Sequence, residues 1–306
     1  MAQRKTEVRL LVVENDDGDV RLLRHMLREA ENGERFGIIS CRRVSECCDL
    51  CRAQHVDVIL LDLDLEESSG IETFRALRNA VATIPVIVLA GKRDEDVGLL
   101  AVSEGAEDYL PKQDITPRFI SRAIRYAVER HELKVRLQYL ATHDPVTGAF
   151  NRHHFNQTIE EELARSQRYK HSIGFLMADI NRFKEINDRF GHQSGDAVLR
   201  RVAGFLSEQV RTVDMVVRYG GDEFLLVLPE TGEGCREVAD RVRTAALQMT
   251  DVHSAIEFPI TLAIGASWWN PDDDRSIEEI LAEADQRMYA DKRRREAHTS
   301  SESTMA

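Results

Sequence analysis

No stretch of apolar residues in this chain approaches the roughly 20 needed to cross a bilayer. The opening residues, Met1–Glu7, are too polar for a secretory leader. Positive charge is also short: 41 Lys and Arg stand against 53 Asp and Glu, giving a net charge of −12 and a pI near 5.4. That balance argues against a protein that grips duplex nucleic acid by neutralising its phosphates. It leaves room for a nucleotide enzyme, in which a metal ion and a few local cations meet the phosphates. Cysteine is scarce, with five in the chain. Cys48-Asp49-Leu50-Cys51 is formally a C-x-x-C, but it falls mid-helix with no second pair and no His at ligand spacing. These cysteines read as small helix residues, and no disulfide framework is implied. A soluble, cytoplasmic protein with neither membrane nor nucleic-acid partner is expected.

What is present is enough apolar residue, 42%, for ordinary cores, in a chain of 306 residues that suits two domains. The first third alternates buried strands (Val8–Val13, Gly37–Cys41, Val56–Leu63, Pro85–Ala90, Tyr109–Leu110) with amphipathic stretches (Val20–Ala30, Ser45–Ala53, Ile71–Ala80, Asp96–Glu104). Strands apolar on both faces with helices between them predict an α/β fold, a doubly wound, five-stranded parallel sheet over residues 1–116. Chemistry in such sheets gathers at the carboxyl ends of the strands. From Pro117 to residue 142 the pattern is one long linking helix. Ile120, Ile124, Ala127, Leu133, Leu137 and Leu140 recur at three- and four-residue steps. Its stripe suits a parallel coiled coil in a homodimer.

Asp144-Pro145 and Thr147-Gly148 break that helix and open a second α+β domain over 143–297. Its predicted elements are helix Arg152–Tyr169, strand Ile173–Ile180, helix Ala197–Val210, strand Val216–Tyr219, strand Phe224–Leu228, helix Glu233–Leu247, strand Ile260–Ala266 and helix Ile277–Arg295. A Ser/Thr-rich tail over 298–306 is expected to be disordered. Asp179 closes a buried strand, where a carboxylate is costly without a cation. The Gly220-Gly221 turn supplies Asp222 and Glu223. Three hard oxygen ligands suit Mg²⁺, which keeps positions for substrate phosphate; Mg²⁺ with phosphate points to phosphoryl or nucleotidyl transfer. Lys184 can meet a phosphate as a point charge, and Asn187 and Asp196 carry groups able to read guanine. Alone, the turn is compatible with any acidic hairpin.

The blocks Asp144-x-x-Thr147-Gly148-x-x-Asn151-Arg152, Asp179-Ile180-x-x-Phe183-Lys184-x-x-Asn187-Asp188, Gly191-His192-x-x-Gly195-Asp196 and Arg218-Tyr219-Gly220-Gly221-Asp222-Glu223-Phe224 together resemble the GGDEF family of diguanylate cyclases. The resemblance covers about Leu140 to Lys292. It implies a palm-like nucleotidyl cyclase fold that condenses two GTP into cyclic di-GMP and two pyrophosphates. It further implies Asp179, the Ile180 carbonyl, Asp222 and Glu223 as the Mg²⁺ set, with Mn²⁺ as a substitute. Asn187, His192, Asp196 and Lys292 would bind GTP, Lys184 would stabilise the triphosphate, and Asp222 would act as base. Each domain holds one GTP, so catalysis requires two domains face to face and gives the long helix its purpose. Arg211-x-x-Asp214 resembles the family's inhibitory site for the product, with Arg165 as a secondary arginine. The last helix departs from the pattern, lacking the usual Ala before Lys292 and the Gly-Arg-Asn after it. A catalytically silent cyclic di-GMP receptor, or a scaffold, using Arg211 and Asp214 is the alternative.

The first domain resembles a two-component receiver, through Leu11-Val12-Val13-Glu14, Leu60-Leu61-Asp62-Leu63, Pro85–Ala90 and Gly105-Ala106-x-Asp108-Tyr109-Leu110-x-Lys112. That implies Asp62 as phosphoacceptor, a histidine kinase as partner, Lys112 beside it, and Glu14 and Asp16 as metal support. Two departures weaken the usual readout. Asn15 stands where a second acid is usual, and Ala90 replaces the switch hydroxyl, whose hydrogen bond lets phosphate move the switch loop.

Overall fold

The computed structural model describes residues 7–30, 35–91, 95–247, 249 and 260–302, and falls into two compact units, 1–137 and 138–306. In the first, strands β1 (Glu7–Val13), β2 (Arg35–Cys41), β3 (Val58–Asp62), β4 (Val86–Ala90) and β5 (Asp108–Pro111) form an all-parallel sheet in the order β2-β1-β3-β4-β5. β3 and β4 are buried throughout, because helices cover both faces. Helix α1 (Asp17–Glu29) and the first half of α5 (Pro117–Thr142) cover one face through Leu23, Leu27, Ile120 and Ile124. Helices α2 (Val44–Ala53), α3 (Ile71–Ala80) and α4 (Glu95–Ser103) cover the other, through Cys47, Phe74, Leu77 and Ala101. Cys47 and Cys48 are buried there as small apolar side chains.

Helix α5 changes character along its length. Ile120, Ala123, Ile124 and Ala127 are buried, whereas Leu133 is 61% and Leu137 65% exposed. Phe119, Tyr126, Leu133 and Leu140, seven residues apart, are all exposed. Glu107, buried before β5, ion-pairs with Lys134 at 2.8 Å and Arg130 at 3.5 Å, which pins the helix to its own unit.

In the second unit, β6 (Phe150–Asn151), β7 (Ile173–Ile180), β8 (Met215–Arg218), β9 (Glu223–Pro229) and β10 (Leu262–Trp269) form a sheet in the order β10-β7-β9-β8-β6. Only the β6–β8 pair is parallel. Strict alternation divides β7: Ile173, Phe175 and Met177 face α6 (Arg152–Tyr169) and α10 (Ile277–Glu302). Leu176, Ala178 and Ile180 face α7 (Phe183–Phe190), α8 (His192–Gln209) and α9 (Cys235–Ala246).

Three of the differences from the sequence reading bear on the second unit. α8 begins at His192, not Ala197, because Gly191 takes φ +82° and turns the chain directly into helix. β10 runs on to Trp269, paired with Ile173. α10 continues to Glu302, so the stretch 298–302, expected to be a disordered tail, is helical; residues 303–306 lie outside the described residues.

Candidate active site

β7 lies between β10 and β9 and ends in Asp179, whose register partners are Glu223 on β9 and Ala263 on β10. Asp179 is 5% exposed. The hairpin turn is closed by Tyr219 and Gly220 donating to the Glu223 carbonyl at 2.9 and 3.3 Å. It is stitched to β7 by the Ile180 N–H, which donates to the Asp222 carbonyl at 3.3 Å. A Cβ on Gly220 would lie 2.7 Å from Glu223 Oε2, so the first glycine makes room for that carboxylate.

The ammonium of Lys292 on α10 donates to Asp179 Oδ1 at 2.7 Å. The helix reaches so deep because β10 has a glycine where they cross: a Cβ on Gly265 would sit 2.0 Å from the Ala284 carbonyl oxygen. Asp291 fixes the crossing by accepting from the Ile264 N–H at 3.1 Å.

Burial pushes the Glu223 carboxyl above its usual range, and Asp179, Asp285 and Asp222 push it the same way, against Lys292. Among the described residues no group of three or more His, Cys, Asp or Glu converges closely enough to hold a metal ion. The donors still fit a hard divalent cation: Asp179 and Asp222 add their charge against that of Glu223, and one lysine does not offset the three carboxylates.

Helices α7 and α8 are joined at Gly191 and carry the expected nucleotide-binding residues. Asn187 lies on Gly195, where a Cβ would come within 2.0 Å of its Oδ1. Asp196 is half-buried one residue on, while Lys184 and His192 are exposed. α7 follows Arg182, which takes the left-handed φ of 59° and makes no side-chain capping bond, so the helix N-terminus lies just beyond the end of β7.

In the first unit, Lys112 bonds Glu14 at 2.7 Å, Asp19 at 2.8 Å and Asp62 at 3.0 Å. Burial lifts the Asp62 carboxyl to about 6, Lys112 opposes the shift and Glu14 adds to it. Burial weighs against charge on Lys112, yet its bonds to Asp19 and Glu14 hold the ammonium above its ordinary range. Asp16, expected beside Glu14 in this pocket, instead caps α1, accepting from the Gly18 and Asp19 N–H groups. The acid that reaches Lys112 is Asp19, one turn along α1 and missed in the sequence.

Residues 141–298, just over half of the chain, match the family described as "Diguanylate cyclase, GGDEF domain". The chain belongs to that family. Residues 10–124 match the "Response regulator receiver domain". The chain is similar to "Response regulator PleD" of Caulobacter vibrioides (strain NA1000 / CB15N), at 29% identity over 246 residues, 76% of this chain and 54% of that protein. It is also similar to "Diguanylate cyclase DosC" of Escherichia coli (strain K12), at 35% identity over 170 residues, 55% of this chain and 35% of that protein. It therefore spans about half the length of the first relative and about a third of the second. A solved structure of the coiled coil and GGDEF domain of DgcB from Caulobacter crescentus, in complex with c-di-GMP, is similar at TM-score 0.49 and 27% identity, covering 57% of this chain and 94% of that one.

Within the GGDEF domain, Asp214 does not clasp the Arg211 guanidinium. Its Oδ2 accepts the Arg211 backbone N–H at 2.7 Å, and its Oδ1 is buried without a hydrogen-bond partner. Both residues line a cavity of about 210 Å³ with His143, Phe150, Ser207 and Thr212. Arg165 lies elsewhere, paired with Glu162 at 2.6 Å in a separate cavity with Phe155, Ile159 and Val213. The domain thus brings Asp179, Glu223 and Lys292 together, and Arg211 with Asp214, but not Arg165 with that pair.

Proposed function

We propose that this protein condenses two GTP into cyclic di-GMP, releasing two pyrophosphates, as a dimer fed by a receiver domain. The observation that carries this reading is the pairing of Asp179 with Glu223 across β7 and β9, beside the Asp222 turn and the Lys292 ammonium. Asp179, the Ile180 carbonyl, Asp222 and Glu223 would hold Mg²⁺, or Mn²⁺ in its place. When bound, the metal neutralises phosphate charge and orients the triphosphate. Lys184 and the N-terminus of α7 meet the phosphates, while Asn187, His192 and Asp196 take the guanosine. Lys292 moves from Asp179 to the triphosphate. Asp222 accepts the proton of the 3′-hydroxyl, whose oxygen attacks the α-phosphorus held by the facing domain; the bond to the β-phosphate breaks and pyrophosphate departs.

The exposed stripe Phe119, Tyr126, Leu133 and Leu140 supports dimerisation by a parallel coiled coil, since heptad spacing puts these residues on one seam. The orphan Asp214 Oδ1 beside Arg211 supports product inhibition: a guanine offers N–H donors to the carboxylate and acceptors to the guanidinium. Arg165 stays outside this proposal, because it lines a separate cavity beside Glu162. Asp62 is the site for a phosphoryl group from a histidine kinase, and Glu14, Asp19 and Lys112 are the charges that would feel it.

Purified protein incubated with GTP and Mg²⁺ should form cyclic di-GMP. Tight GTP binding without product would reject the enzyme and favour a silent receptor acting through Arg211 and Asp214.

A further inference from the structure

Arg218 is the last residue of β8, and its guanidinium works in two directions. Nη1 donates to both carboxylate oxygens of Asp144, at 2.9 and 3.1 Å. Nε and Nη2 donate to the Gly221 carbonyl, at 3.2 and 2.8 Å. Asp144 and Arg218 are each 17% exposed, so this is a largely desolvated pair.

Each end of the link is itself fixed. Asp144 Oδ1 also accepts from the Val146 and Thr147 N–H groups and the Thr147 hydroxyl, and so organises the whole turn that follows α5. Asn151 ties that turn to the helix end, donating to the Ala141 carbonyl at 3.0 Å and the His143 carbonyl at 3.3 Å. At the other end, Gly221 directly precedes Asp222, whose carbonyl receives the Ile180 N–H. The chain of bonds therefore runs from the last residues of α5 through Asp144 and Arg218 to the acidic hairpin turn.

We propose that Arg218 is a positioning residue, through which the turn following α5 sets the place of the Gly221 carbonyl and hence of the Asp222 and Glu223 carboxylates. This deepens the cyclase reading and rests on its assignment of those two acids. Arginine is suited because its rigid planar fork aims separate N–H groups at the carboxylate and the carbonyl in fixed directions; lysine offers a compact point charge without that geometry. Displacements of an ångström at reacting groups are enough to cost a hundredfold in rate, which sets the scale expected for its loss.

The test uses the full chain with Arg218→Lys, Asp144→Asn and the double substitution. Asparagine keeps an acceptor for Thr147 but removes the charge that holds Arg218. Arg218→Lys should unfold close to the wild-type temperature, hold KM for GTP within about threefold, and lose kcat by roughly 10- to 100-fold. The double variant should be no slower than Arg218→Lys alone, because both changes cut one connection. Hydrogen exchange at Gly220 and Ile180, in protein without nucleotide, should quicken in Asp144→Asn, although residue 144 touches neither amide. Wild-type kcat in Arg218→Lys, additive losses in the double variant, or a loss that simply follows thermal stability would each overturn the proposal. If the wild type makes no cyclic di-GMP, the cyclase reading fails, and exchange alone decides the link: quicker exchange supports it and unchanged exchange overturns it.

Discussion

Lys292, from the last helix, places its ammonium 2.7 Å from the Asp179 carboxylate at the end of β7, although 113 residues separate the two. A buried carboxylate that loses its partner typically costs a few kcal/mol. Lys292→Ala should therefore lower the melting temperature in EDTA, and Mg²⁺ should restore more of it than it adds to the wild type. Turnover should fall at least tenfold, since the Lys292 ammonium is no longer there to pass to the triphosphate. Equal Mg²⁺ shifts in both proteins would show that the lysine and the metal do not share Asp179.

Gly265→Ala inserts a methyl group against backbone, which cannot swing aside. Overpacking of this kind costs about 1–3 kcal/mol, and here it also lifts α10 away from Asp179. Both unfolding stability and activity should drop, with activity falling further. A variant as stable and active as the wild type would mean that the crossing has slack.

For Asp62 the sign follows from its raised carboxyl. The folded chain holds this proton up to about pH 6, whereas the unfolded chain releases it near the ordinary value of 3.8. This group's contribution to stability is thus full below pH 4 and is lost as pH rises through 6. In EDTA, Asp62→Asn should flatten that slope and stabilise the receiver at pH 7.5 by on the order of 1–3 kcal/mol. Parallel stability–pH curves for the two proteins would contradict the assignment.

Arg211→Ala should leave the initial rate with GTP nearly unchanged and raise the cyclic di-GMP concentration that halves the rate by at least tenfold. Progress curves with added product measure this directly. Inhibition identical to the wild type would remove Arg211 from the product site.

Leu133→Glu with Leu137→Glu puts like charges along the exposed seam of α5. Sedimentation should show monomers where the wild type dimerises, and specific activity should become strongly dependent on protein concentration. A wild-type protein that sediments as a fully active monomer would defeat the dimeric mechanism.

The strands and most helices were legible because their signal is local: β7 and α6 lie where apolar runs and period place them, since both faces of each sheet are covered. The first turn of α8 was not, because His192–Asp196 turns no apolar side chain inward. Asp16 caps α1, as an acid just before a helix readily does; Asp19, a turn later, carried no mark in the sequence. Asp179, Asp222 and Glu223 were visible as acids at a strand end and a turn. Contacts made by long side chains across the fold, Lys292 to Asp179 and Arg218 to Asp144, leave no spacing to read. Nor does the separation of Arg165 from Arg211, which line different cavities.

The contact between Asn187 and Gly195 has a thermodynamic consequence. With the amide resting against a bare α-carbon, its rotamer is restricted when the domain folds, before the binding of the purine proposed for it. The entropy of ordering that side chain is then already spent, and nucleotide binding need not bear it a second time.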